Sequence, residues 1–478
     1  MSKLSERIGY GFGDMASSMF WKVFSYYLPF FYSNIFGLSL LDAGVLVLVT
    51  RIWDAVSDPM MGVIADRTGT RWGKYRPYLL WVSVPFSVCG ILLFTTPEWG
   101  YAAKLVWAYV TYVLMMTVYT GINVPYGAML GVMSDDPREK TVYSSFRMFF
   151  AYGGSFIALA SWEPLCSMFA GHFGASPRTS WQLAMCVIAA ACLLLFLLCF
   201  RMTRERLHTV SSVSVGKDFR SLLSNRPWWL LIGAALCFNL FNTVRGATVA
   251  YFFADVIGPD ASLWLFGLSM LFYSGLFLSV GEVANMAGVA LAVPVAGRLG
   301  KKSTFMAVNA LLIVLSTGFF FLPVSESGYW LMLVFQILIS ILTGIMSPLV
   351  WSMYADVSDY AELKFNTAST GLIFSSSSMA QKFGGAIGGA AVMWLLSACG
   401  YVVATDGGSV AQTPGAISCL WALMTFIPAV VSAIAILVVW FYPLTTTVVN
   451  EIVDKLKEQR RKVVPTDMAA AKEFSDLD

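Results

Sequence analysis

Runs of twenty or more mostly apolar residues recur along almost the whole chain, and nothing else in the sequence restricts the fold as severely. They lie near 8–36, 41–65, 77–97, 101–133, 142–168, 179–201, 228–257, 262–297, 303–323, 327–355, 369–399 and 416–443. A helix needs about 20 apolar residues to cross a bilayer, so the pattern predicts an all-α membrane protein with twelve transmembrane helices. The alternating segments of a membrane β-barrel, about ten residues each, are absent. Charged residues make up 12% of the 478, against about 25% in soluble domains.

The placement of those charges orients the chain. Connections after odd-numbered runs carry little positive charge, only Lys104 and Arg178. Arg67, Arg71, Lys74 and Arg76 follow the second run, and Arg201, Arg204, Arg206, Lys217, Arg220 and Arg226 follow the sixth. By the positive-inside rule both termini are expected in the cytoplasm. The basic connection after the sixth run divides the chain into two six-helix bundles, 1–201 and 228–443. A cytoplasmic linker is expected at 202–227 and a cytoplasmic tail at 444–478. A small-residue turn followed by basic residues recurs after the second and eighth runs, as Gly62-x-x-Ala65-Asp66-Arg67 and Pro294-Val-Ala-Gly297-Arg298. A duplicated six-helix unit would leave that trace, and two such units around a central site are the major facilitator plan.

Several function classes fall away. The net charge of +3 gives no reason to expect nucleic-acid binding. The eight cysteines are scattered without paired spacing and read as free, packed thiols. His172 and His208 fall between runs and no nucleophile motif accompanies them, so an enzyme is not expected. The first run is too long for a signal-peptide core, and no cleavable leader is expected.

What remains is the set of polar residues inside the runs. The second run carries Arg51-Ile-Trp-Asp54-Ala-Val-Ser-Asp58-Pro59. Asp54 and Asp58 are one helical turn apart, and Arg51 precedes Asp54 by another, so the three share a face. Each ionised residue at the centre of a membrane helix costs about 2.5–3.5 kcal/mol. Two on one face call for a cation, a proton or a basic side chain there. In the fourth run, Thr120 and Asn123 supply neutral oxygens suited to a hard cation, beside the helix-distorting Pro125. Lys22 sits near the middle of the first run and needs a watery cavity or a carboxylate: it either pairs with Asp54 or Asp58 or contacts substrate. Arg147 opens the fifth run. Asn239, Asn242 and Arg245 recur at three-residue intervals along one side of the seventh, with Glu282 of the eighth as a possible partner for Arg245. Lys382 lies at mid-membrane depth in the eleventh run, where it can compete with a cation for the two aspartates. Asp356, Asp359 and Glu362 form an acidic cluster at the cytoplasmic end, able to latch one conformation through Arg147 or the basic loops.

These motifs resemble the glycoside–pentoside–hexuronide cation symporters, the branch that contains melibiose permease. The resemblance is carried by Gly9-Tyr10-Gly11-x-Gly13-Asp14, Arg51-Ile-Trp-Asp54-Ala-x-x-Asp58-Pro59, Arg71-Trp-Gly-Lys74-Tyr-Arg76-Pro77, Asn123-Val-Pro125-Tyr126-Gly127, Ala355-Asp356-Val-x-Asp359-Tyr360-x-Glu362 and Gln381-Lys382-x-Gly384. It implies a bacterial inner-membrane symporter, acting as a monomer, that moves a sugar or glycoside with Na⁺ or H⁺ by alternating access. Asp54, Asp58 and Thr120 match the family's cation site, Lys382 its helix-eleven lysine and Arg147 its helix-five arginine. The melibiose branch holds galactoside hydroxyls with two aspartates; aligned motifs put Ser18 and Asn123 there. With Lys22 and Arg245 buried, the pocket is then less acidic and a hexuronide or pentoside is the expected substrate. The substrate set so predicted is Ser18, Lys22, Asn123, Arg147, Asn239, Asn242, Arg245 and Lys382, and no cofactor beyond the coupling ion is expected. A cation-independent carrier of lipid-like or drug-like solutes is the competing reading on the same fold.

Overall fold

The computed structural model describes residues 3–134, 137–206, 223–265, 268–365, 370–403, 410–456 and 458. Most of the expected linker, and the tail past 458, lie outside the described residues. The helices are α1 (Lys3–Phe30), α2 (Leu40–Arg67), α3 (Arg76–Trp81), α4 (Ser83–Leu93), α5 (Tyr101–Met133), α6 (Pro137–Phe173) and α7 (Pro177–Met202). They continue as α8 (Arg226–Phe252), α9 (Ser274–Leu299), α10 (Lys301–Phe319), α11 (Glu326–Phe365), α12 (Thr370–Ala398), α13 (Pro414–Met424) and α14 (Phe426–Trp440). The runs predicted from sequence correspond to these, with α3–α4 and α13–α14 each forming one broken rod.

Among the described residues, seven segments are long and apolar enough to span a membrane unaided: α5, α7, α8 with the π turn that follows it, α9, α10, α11 and the α13–α14 rod. Four others of comparable length, α1, α2, α6 and α12, hold Asp14 and Lys22, Arg51 with Asp54 and Asp58, Arg147 with Glu163, and Lys382. A helix can carry such charges only by turning them away from hydrocarbon. Around Asp54 on α2, Ile52, Trp53, Val56 and Met60 are exposed on the outer surface while Arg51 and Asp54 are buried.

Helix α2 packs along α12, α6 along α9 and α1 along α8, so these pairs join the first seven helices to the rest. One apolar core fills the first seven helices and runs on into Tyr251, Phe253, Phe272 and Tyr401. A second lies among α8–α14, Tyr442 and Leu444 beyond them, and the helical residues 446–456.

Two predicted boundaries are corrected. Residues 262–273 are not the start of a helix but an antiparallel hairpin, β1 (Ser262–Leu265) against β2 (Leu268–Leu271), with Ser262 opposite Leu271. Short apolar runs do not distinguish strand from buried helix by hydrophobicity alone; here Leu263 is buried and its neighbour Trp264 exposed. Conversely, α11 runs ten residues past the expected end at 355, because hydropathy falls at Asp356 although nothing there breaks a helix.

Proline shapes the rods. Pro428 has no N–H to offer the carbonyl of Met424, and the chain breaks between α13 and α14 at Thr425. Pro164 likewise strands the carbonyl of Ala160 in α6, which accepts a hydrogen bond from Tyr273 Oη at 3.0 Å. Glycine matters most where α9 crosses α11. A Cβ built on Gly288 would lie 2.9 Å from Gly344 Cα and press on the Ile341 carbonyl. Such small-residue crossings let backbones touch. Gly288→Leu is therefore expected to destabilise the fold by about 1–3 kcal/mol or more, read as a lower melting temperature in detergent; an unchanged transition would contradict so close a crossing.

Candidate functional site

Charge clusters where α2, α5 and α12 meet. Thr120 Oγ1 of α5 donates toward Asp54 Oδ1 at 3.2 Å and Asp58 Oδ1 at 2.9 Å, so one hydroxyl bridges both carboxylates. Lys382 Nζ of α12 lies 3.2 Å from Asp54 Oδ1 and hydrogen-bonds Asp58 Oδ2. Arg51 reaches Asp54 Oδ2 at 3.5 Å and stacks its guanidinium over Trp21, 4.7 Å from the ring centre, and over Phe24. Asp54 is 1% exposed. The facing geometry follows from α2 turning one polar stripe inward. Two carboxylates and a hydroxyl make an oxygen-only donor set, which suits a hard cation. Among the described residues there is no cluster of three His, Cys, Asp or Glu side chains such as a transition metal would want. The Lys382 ammonium sits against both carboxylates.

This cluster borders a cavity of about 400 Å³. Its walls include Trp21, Lys22 and Tyr26 of α1, Arg51, Asn123, Asn239, Asn242, Gln381 and Lys382. Asn239 and Asn242 donate their amides to the carbonyls of Ala235 and Phe238, at 2.8 and 2.9 Å, which leaves their amide oxygens for other donors. Thus Lys22, Asn123, Asn239, Asn242 and Lys382 of the predicted substrate set line one space.

Three others do not. Ser18, one turn before Lys22, is half-buried outside the lining. Arg147 turns to Asp14 Oδ2 at 2.9 Å and covers the Tyr126 ring. Arg245 donates to Met424 O at 2.8 Å and Gln336 Oε1 at 3.1 Å. It thereby supplies the donor that Pro428 withholds from the Met424 carbonyl, a structural task. Its expected partner Glu282 instead pairs with Lys22, Nζ to Oε1 2.5 Å, and Lys22 is not the partner of Asp54 or Asp58. Of the partners expected for Asp356, the basic loop after the eighth run supplies the one observed and Arg147 does not: Lys301 holds it, Nζ to both carboxylate oxygens at 2.7 Å. Asp359 and Glu362 follow on the same final turns of α11.

Glu163 was not singled out from sequence, although a glutamate inside an apolar run was a readable signal. From α6 it accepts hydrogen bonds from Tyr27 Oη at 2.9 Å, from Ser274 Oγ and from the Gly275 amide at 3.1 Å, capping the N-terminus of α9. Ser33 to Tyr251 (2.8 Å) and Asn34 to Tyr401 (3.0 Å) bridge the same end. At the opposite end, where α1 starts, the ion pairs Glu6–Arg206 and Asp14–Arg147 stay within the first 206 residues and Lys301–Asp356 among the later helices. Also at that end, Glu205 gathers the backbone N–H groups of Lys74, Tyr75 and Arg76, fixing the loop that leads into α3.

Known proteins give this arrangement its context. The chain is 33% identical over 462 residues to the inner membrane symporter YicJ of Escherichia coli K12, covering 96% of each. It is 32% identical to the isoprimeverose transporter of Lactiplantibacillus pentosus, over 91% of this chain and 88% of that one. In fold it is similar to the crystal structure of the nucleoside transporter NupG, with a TM-score of 0.63 over 93% of this chain and all of that one at 12% identity. Residues 9–446 match the MFS/sugar transport protein family, and the chain belongs to that family.

Proposed function

We propose that the protein is a cation-coupled symporter of a sugar or glycoside, working by alternating access in a bacterial inner membrane with both termini in the cytoplasm. The observation that carries this reading is the Thr120–Asp54–Asp58–Lys382 cluster, which meets the cavity through Lys382. YicJ is named a symporter and the Lactiplantibacillus pentosus protein transports isoprimeverose, and both names agree with it. Na⁺ or H⁺ displaces the Lys382 ammonium from the carboxylates. The freed lysine and the neutralised aspartates then reset the wall against which the sugar rests. Coupling of this kind amounts to about 1–3 kcal/mol, shared equally by both ligands.

The substrate is a neutral glycoside. Each cation lining the cavity is already matched: Lys22 by Glu282, Arg51 by Asp54, Lys382 by Asp54 and Asp58. Uncharged groups, among them the asparagine amides, Gln381 and the ring of Trp21, are left to hold a solute, and they suit hydroxyls and a sugar face. This departs from the hexuronide expected from a less acidic pocket, because Lys22 pairs with Glu282 and Arg245 is turned to a carbonyl. A lipid-like solute fits poorly against Asn123, Asn239, Asn242 and Gln381. The conformation is inward-facing, with Glu163 and its partners closing the outer end as the two six-helix bundles lean together.

The test is uptake by proteoliposomes containing only this protein. A panel of isoprimeverose, cellobiose, methyl glucoside and glucuronate, with and without a Na⁺ gradient and at two pH values, should yield gradient-driven accumulation of a neutral member. Uptake indifferent to both ions would favour the facilitator.

A further inference from the structure

A second, smaller space adjoins the cavity and the coupling scheme leaves it unused. It measures about 40 Å³ and is lined by Glu282, Arg245, Asn285, Gln336, Ser340 and Thr343. Tyr26 and Asn242 line both spaces, so the two share a wall. Lys22 takes one oxygen of Glu282, yet Glu282 is 3% exposed and its Oε2 has no hydrogen-bond partner; Arg245 Nε is buried and unmatched as well. A buried polar atom left without a partner is costly, most of all on a charged group. What is missing is a small group that donates to Oε2 and can accept from Arg245. A cation is a poor candidate beside Lys22 and Arg245, while a hydroxyl meets both needs. The space holds a hydroxymethyl group or a couple of waters.

We propose that Glu282 is a substrate-holding residue: a hydroxyl or hydroxymethyl group of the bound sugar enters this chamber and donates to Glu282 Oε2. Lys22 fixes the carboxylate in place from the opposite bundle, so sugar binding draws on both bundles. The inference deepens the symport reading and rests on it.

The experiment measures sugar binding to the purified full-length protein in detergent by calorimetry, using the four-sugar panel above. Glu282→Gln should weaken the best neutral sugar at least about ten-fold. The ratio of its affinities with and without the coupling ion should stay unchanged, because the cation cluster is untouched. The double variant Lys22→Gln/Glu282→Gln removes both charges and should remain as weak. If it instead returns to within about two-fold of wild type, Glu282 is only the lysine's counter-charge and the assignment falls. Should Glu282→Gln fail to fold, Glu282→Asp, which keeps the charge but draws it out of the chamber, should show the same loss, and unchanged affinity there overturns the assignment. If wild type binds no panel member, the symport reading itself fails and takes this assignment with it.

Discussion

Reconstituted Asp58→Asn protein is expected to equilibrate sugar across the membrane without accumulating it. Asp58 contributes one oxygen to Thr120 and another to Lys382, and it is the more accessible of the two aspartates. An asparagine keeps the shape and a carbonyl oxygen but supplies no charge to exchange between ammonium and cation. The expected result is loss of gradient-driven uptake by about ten-fold or more, with counterflow of labelled sugar persisting. Accumulation at the wild-type level would remove Asp58 from coupling.

Lys382→Met should act in the opposite sense on cation affinity. Its ammonium holds Asp54 and Asp58 in the ion-free state, with Arg51 sharing only Asp54. Taking away one member of a buried pair leaves uncompensated charge, worth about 3–5 kcal/mol when fully buried. Lys382 and Asp58 are partly accessible although Asp54 is not, so the effect is smaller here. A cation or proton can recover that energy by binding. We expect the concentration of Na⁺ or H⁺ that half-activates sugar binding to fall at least about ten-fold. Net uptake should also fall, because the cation no longer meets a competitor that helps expel it. Weaker cation activation in Lys382→Met would show that the lysine supports the site and does not compete for it.

How far the sequence carried is visible in particular residues. The Asp54–Asp58 face was legible because helical spacing alone puts the two acids together, and a carboxylate in hydrocarbon needs a reason to be there. Thr120 and Lys382 were legible as candidate neighbours from their chemistry and depth, and the family resemblance joined them to it, since no local rule says which helices touch. Glu282 was read as a possible partner of Arg245, with substrate contact as the alternative, because both lie inside apolar runs and are opposite in charge. The fold matched each differently, Arg245 to a carbonyl that Pro428 strands and Glu282 to a lysine 260 residues away. Those choices depend on rod positions that periodicity does not contain. The hairpin at 262–271 was missed for a related reason: its apolar content equals that of a helix start, and only pairing between its strands tells them apart.

The most direct check on the cation cluster is the affinity of the purified protein for sugar, titrated with Na⁺ at fixed pH and with pH in the absence of Na⁺. Wild type should bind sugar about 5–150 times more tightly when the coupling ion is present. Asp54→Asn and Asp58→Asn should each flatten that dependence while retaining the weaker affinity. Sugar affinity in wild type that ignores both ions would contradict the account.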